Sequence, residues 1–188
     1  MKRREVLSTL FWGIGGAVVG PNILLTACQS NPADKQFLSP DDVTLLDEIG
    51  ETIIPATVSS PGAKSANIGS FMKVYVADCY NKADQEVFRS GLIQLNDLSK
   101  SKHGNQFVYL NASQQRDLLV QLDREAKEHN RNRERNTSTH YFSMIKEMTV
   151  FGYFTSKPGA TKALRYLPVP GSYNGDLTYH KGDKAWAM

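Results

Sequence analysis

Apolar residues recur at helical spacing through most of the chain, and no segment shows strand alternation of consequence. The clearest stripe is Ile68, Phe71, Met72, Tyr75, Val76 and Cys79, at i, i+3, i+4, i+7, i+8 and i+11, which is one face of a helix. Upstream, Val43, Leu46, Ile49 and Ile53 form a second stripe. Ser39 is suited to cap it, Pro40 to open it, and Asp41 and Asp42 to meet the positive end of its dipole. Pro55 ends that helix, and 55–67 reads as a turn-rich loop. A third helix is expected over about 84–100, with Phe88, Leu92, Leu95 and Leu98 inward and Lys102-His103-Gly104-Asn105 closing it. Asn111 or Ser113 opens a fourth, carrying Leu118, Leu119, Leu122 and Ala126. The polar run 127–137 reads as a solvated helix end and loop.

The fifth predicted helix, about 139–155, is apolar nearly all round: Tyr141, Phe142, Met144, Ile145, Met148, Val150, Phe151, Tyr153 and Phe154. A helix without a polar face lies at the centre of its own body or against a partner. After Ser156-Lys157-Pro158-Gly159 a short helix is expected over about 160–166. The remainder, 167–188, changes character. Pro168, Pro170, Gly171 and Asn174-Gly175 preclude a regular helix, while Tyr166 stands just before it and Tyr173, Tyr179 and Trp186 are spread along it. Such a tail has no core of its own: its aromatics either pin it to the helical body or dock on another chain. The expected fold is all-α, a compact domain of five to six helices over 39–188 with an extended, irregular C-terminal tail.

The first 27 residues read as a signal peptide. Lys2, Arg3 and Arg4 make a positive start, and no charge occurs from Val6 to Ala27. Gly13, Gly15, Gly16, Gly20 and Pro21 make that run a poor permanent membrane helix, although an uncleaved anchor is the alternative. Arg3-Arg4 resembles a twin-arginine export signal, and Leu25-Thr26-Ala27-Cys28 resembles a lipobox whose cysteine becomes the lipidated first residue. Residues 28–38 would then be a tether to a membrane. Removing three bases and one acid with residues 1–27 takes the formal charge from +3 to +1, so no nucleic-acid partner is implied. With Cys28 consumed by lipid, Cys79 stands alone. Its place on an apolar stripe favours a buried, unreactive thiol, and a disulfide to a partner subunit is the sharper alternative.

No constellation carries chemistry. There is no phosphate loop, dinucleotide fingerprint, haem-attachment motif or zinc helix. His103, His129, His140 and His180 are isolated along the chain, so no metal site is expected. Asp47 with Glu51, and Glu125 with Glu128, have helical neighbour spacing but read as solvated charges on polar faces.

Several segments carry a resemblance. Asp47-Glu48-Ile49, Thr52-Ile53-Ile54-Pro55-Ala56-Thr57 and Pro61-Gly62-Ala63 resemble the start of the gluconate 2-dehydrogenase subunit 3 family. Asp78-Cys79-Tyr80, Asp84-Gln85 and Phe88-Arg89-Ser90-Gly91-Leu92 resemble its middle. The most specific segments are Thr149 to Tyr166 and Pro170-Gly171-Ser172-Tyr173-Asn174-Gly175-Asp176, followed by Ala185-Trp186-Ala187. The resemblance implies a non-catalytic small subunit that carries the export signal and holds no cofactor. It implies, as partner, an FAD-containing large subunit of the glucose–methanol–choline type, with haem c in a cytochrome subunit that often accepts the electrons. Together with the aromatic tail it makes Phe151, Tyr153, Phe154, Pro158, Gly159, Tyr166, Pro170, Gly171, Tyr173 and Trp186 the expected partner-binding residues. A stand-alone periplasmic lipoprotein, structural or ligand-binding, is the alternative reading.

Overall fold

Ser39 does what its position promises. Its hydroxyl accepts the Asp42 N–H at 3.1 Å while the Asp42 carboxylate accepts the Ser39 N–H at 2.9 Å, a reciprocal capping box that starts helix α1 (Pro40–Ile53). The computed structural model describes residues 37–134, 137–169, 171–172 and 174–187. Cys28, Arg3, Arg4, Pro170 and Tyr173 lie outside the described residues. Leu38, expected at the end of a tether, is fully buried, and Phe37 packs against the same core. An apolar residue just before a helix cap is where a hydrophobic staple sits, so the folded body begins two residues earlier than the cap suggests.

Four further α-helices follow: α2 (Ile68–Cys79), α3 (Lys82–His103), α4 (Ala112–Asn132) and α5 (Tyr141–Thr155). Asn81 caps α3 by accepting the Asp84 N–H at 2.9 Å, and Gly104, at φ 76°, ends it in the left-handed conformation. Asn111, not Ser113, opens α4, in a second capping box with Gln114. Short 3-10 turns at Ala63–Ala66 and Phe107–Tyr109 punctuate the loops. Among the described residues the fold is all-α apart from one two-residue pairing described below.

Helix α5 is the hub and packs against each of the other four. Tyr141, Phe142, Met144, Ile145, Met148, Thr149 and Tyr153 are all buried along it. Apart from Thr149, whose hydroxyl donates to the Ile145 carbonyl, each of these apolar side chains contributes roughly 1.5–3 kcal/mol of transfer free energy. That is why a helix with no polar face is stable here. Polar groups in the core close helix ends. The buried Gln85 amide donates to the carbonyls of Val76, Ala77 and Tyr80, satisfying the C-terminus of α2, and Gln115 donates to Phe107 at 3.0 Å.

Asp47 and Glu51, read as solvated, are structural. Asn67 begins α2 in the left-handed conformation (φ 51°) and gives no side-chain cap. Asp47 of α1 supplies one instead, accepting the Gly69 N–H at 2.8 Å. Glu51, one turn later, accepts the Ala56 N–H and the Lys64 N–H, both at 2.9 Å, which pins both ends of the 55–64 loop. Two acids at i, i+4 on α1 therefore terminate two neighbouring N-termini, where helix dipoles favour negative charge. Gly69 permits the approach: a Cβ there would lie 2.3 Å from the Val43 carbonyl oxygen.

Candidate docking surface

The outward sides of α2 and α5 meet in an aromatic cluster. Phe71 and Tyr75 of α2 lie with ring centroids 5.5 Å apart, and Phe151 of α5 is 5.9 Å from the first and 5.7 Å from the second. Tyr80, just past the end of α2, meets Tyr75 edge-on at 6.3 Å. Gly152 makes the contact possible, since a Cβ there would fall 2.5 Å from the Phe71 ring. Each tilted or edge-on aromatic pair is worth about 0.5–1.5 kcal/mol beyond area burial, so the cluster holds its own shape. It is only half covered: Phe151 keeps 44% of its surface exposed. On the same two helices Val74, Val150 and Phe154 are exposed as well. Exposed apolar side chains gathered on two neighbouring helices make this face a candidate contact site.

Burial inside the body pushes the Tyr80 phenol above its ordinary pKa, and the nearby Glu147 carboxylate adds to the shift. The ring therefore stays neutral and acts as a hydrogen-bonding apolar surface.

Among the described residues the C-terminal segment is tied to its own chain by a short strand pairing and by the Lys184 ammonium, which donates to the Lys162 carbonyl. After α5 comes a short π-helical turn (Gly159–Ala163), which falls where a short helix was expected and ends three residues earlier, then β1 (Arg165–Tyr166), which pairs in parallel with β2 (Trp186–Ala187). Arg165 N–H donates to the Ala185 carbonyl at 2.8 Å and Leu167 N–H to Ala187 at 2.9 Å. The Arg165 guanidinium lies 4.5 Å over the Trp186 ring. Between these strands Val169, Leu177 and Tyr179 are strongly exposed. The alternation test misses this pairing because two residues per strand leave no pattern to read.

The expected contact residues thus separate. Phe151, Phe154, Tyr166, Gly171 and Trp186 are exposed and Pro158 is half-buried. Tyr153 and Gly159 are not available as contacts. Tyr153 is 1% exposed, with its hydroxyl donating to the Pro61 carbonyl. Gly159 is buried because its backbone lies directly on the Tyr153 carbonyl. The reading of Cys79 as buried is also corrected: the thiol is exposed. The six-residue stripe runs one turn past the core, and α2 ends at that residue. Phe71 and Tyr75, which the sequence placed on one helix face without marking them as contacts, are only partly buried against the core; their stripe is wider than the core it covers.

Two of the four histidines do come together. His129 near the end of α4 and His140 at the N-cap of α5 have ring centroids 5.4 Å apart. Among the described residues no group of three or more His, Cys, Asp or Glu is placed to hold a metal ion. No helix among them is long and apolar enough to cross a membrane.

The family model for gluconate 2-dehydrogenase subunit 3 matches residues 40–171, from the first residue of α1 into the C-terminal segment. The chain belongs to the gluconate 2-dehydrogenase subunit 3 family. Comparison with curated proteins and with solved structures gives no match. The match for this subunit 3 family covers the five described α-helices, the Asp47 and Glu51 caps and the aromatic cluster.

Proposed function

We propose that this member of the gluconate 2-dehydrogenase subunit 3 family is a non-catalytic small subunit of a membrane-associated, FAD-dependent sugar or sugar-acid dehydrogenase. It binds the flavoprotein, assists its maturation and export, and holds it at the membrane. FAD belongs to the partner, and haem c to a cytochrome subunit where one is present. Arg3-Arg4 provides twin-arginine export, which suits a partner that crosses folded with its cofactor. Cys28 carries the lipid that anchors the assembly on the periplasmic side.

The observation that carries this reading is the half-covered cluster of Phe71, Tyr75 and Phe151 on a chain of a dehydrogenase-subunit family. An exposed Phe151 held in place by the partly buried Phe71 and Tyr75 loses little entropy on docking, which makes it an effective anchor. The test is co-expression of the flavoprotein with the full chain, with the Tyr75→Asp/Phe151→Asp variant, and with the chain truncated after Tyr166. Flavoprotein that reaches the membrane fraction equally with all three would overturn the docking role. Export that survives replacement of Arg3 and Arg4 by lysine would overturn the twin-arginine part alone.

A further inference from the structure

A second surface, separate from the aromatic cluster, is built for a ligand of opposite charge. Between the end of α1, α4 and the first turns of α5 runs a cleft of about 530 Å³. Ile53, Pro55, Leu119 and Phe142 give it an apolar floor. Four cations line it, Arg116, Arg124 and Lys127 from α4 and Lys146 from α5, against one acid, Asp123. Asp123 is already engaged, by Lys127 at 2.7 Å and Lys146 at 2.5 Å. These two ammonium groups, Lys127 first, hold its carboxyl below the ordinary pKa, so it remains an anion. Arg116 and Arg124 pair with no carboxylate among the described residues.

The spacing of the cations selects the shape of the occupant. Arg116, Val120, Arg124 and Lys127 stand at i, i+4, i+8 and i+11, one stripe along α4. At 1.5 Å per residue, the two arginines are about 12 Å apart and the stripe about 16 Å long. A single phosphate or headgroup would use one end of it. An extended polypeptide advances about 3.3 Å per residue, so residues four apart are about 13 Å apart and point to the same side. The residue midway between them shares that side too. Val120, 44% exposed, stands midway between the arginines.

We infer that the cleft binds an extended acidic segment of a partner polypeptide, of the pattern acidic–x–apolar–x–acidic, its two carboxylates on Arg116 and Arg124 and its apolar side chain over Val120. That the segment belongs to the flavoprotein rests on the docking role proposed above. Arginine suits the task, since its planar fork can take each carboxylate through two hydrogen bonds.

The experiment uses the full tagged chain co-expressed with the flavoprotein, with a benzophenone photo-crosslinking side chain placed at position 120. The expected crosslink falls in a flavoprotein segment with two acids four residues apart. Arg116→Glu/Arg124→Glu should lower flavoprotein recovery by about tenfold at moderate salt, and Arg116→Gln/Arg124→Gln by less. Both arginines are exposed, so circular dichroism should show the variants folded. Recovery unchanged by either variant, with no crosslink, overturns the cleft assignment and leaves the docking role standing. No recovery with the unaltered chain overturns the docking role and this assignment with it. Sedimentation with phosphatidylglycerol vesicles that is lost in the Arg→Glu variant, while flavoprotein recovery is unchanged, makes the cleft a lipid-headgroup site and also overturns it.

Discussion

The phenol of Tyr153, near the end of α5, donates its hydrogen to the carbonyl of Pro61, 92 residues earlier in the loop between α1 and α2. The ring is wholly inside, so its role is to tie the central helix to that loop. Tyr153→Phe should cost about 1 kcal/mol, the net worth of one hydrogen bond, plus any penalty for the Pro61 carbonyl left without a donor. Tyr153→Ala should cost about 3–5 kcal/mol through the cavity it leaves. Urea unfolding of the purified chain measures both. A Tyr153→Phe variant as stable as the parent would show that the bond contributes nothing.

The same loop depends on Glu51. Its two oxygens take the backbone N–H groups of Ala56 and Lys64, and the Cβ-less Gly62 lies against the carboxylate. Glu51→Ala should destabilise the chain by about 1–3 kcal/mol, the range for losing hydrogen bonds to a charged group. Because the bonds hold a loop, the effect should be local as well. Limited proteolysis should cut the variant faster within Thr57–Ser60, while Glu48→Ala, which loses only an exposed ion pair to Lys64, should stay close to the parent. Equal cleavage of parent and Glu51→Ala would remove Glu51 from this role.

What could be read in advance follows from how local each interaction is. Ser39-Pro40-Asp41-Asp42 and Asn111 through Gln114 announce helix starts because a capping box is complete within four residues. Leu118, Leu119, Leu122 and Ala126 announce a buried face by spacing alone. The cap that Asp47 gives to Gly69 spans 22 residues and leaves no local mark, so the acid looks like any solvated charge. Cys79 fits the stripe of α2 although the core has already ended beneath it. The apolar run of α5 poses a real ambiguity, own centre or partner; the fold puts most of the run at the centre, with Tyr153 buried, and leaves Phe151 exposed.

Two glycines should respond in opposite directions. A Cβ at Gly159 would lie 1.8 Å from the Tyr153 carbonyl oxygen, and backbone cannot yield as a flexible side chain does. Gly159→Ala should therefore cost at least about 1–3 kcal/mol, the range for overpacking. Gly50, inside α1, would meet Ala63 and Ile68 at 3.4 Å, an ordinary contact. Gly50→Ala should be neutral or stabilising by up to about 1 kcal/mol, because alanine loses less backbone entropy in a helix. Thermal melts of the two variants beside the parent decide this. A stable Gly159→Ala chain would mean the π-turn can be rebuilt at little cost.

His140 should make stability fall with acidity. As N-cap of α5 it uses its Nδ1 to accept the Phe142 N–H at 3.2 Å, which only an Nδ1 without a proton can do. Its ring stacks on Tyr141 at 4.5 Å, and its backbone N–H donates to Asn130 Oδ1 at 3.0 Å. Burial pushes its pKa below the ordinary histidine value, His129 pushes the same way, and Glu125 opposes them. The folded chain therefore takes up this proton less readily than the unfolded chain. Above about pH 6.5, the ordinary histidine pKa, both states are neutral at this site and its contribution is fully present. As pH drops below that value the unfolded state gains protons first, so stability declines until the pH passes the lowered folded value. Thermal melts from pH 8 to pH 5 should show that decline. In His140→Asn, whose side chain can still cap the helix without titrating, this part of it should be absent. Identical pH slopes for parent and variant would assign the decline to other groups.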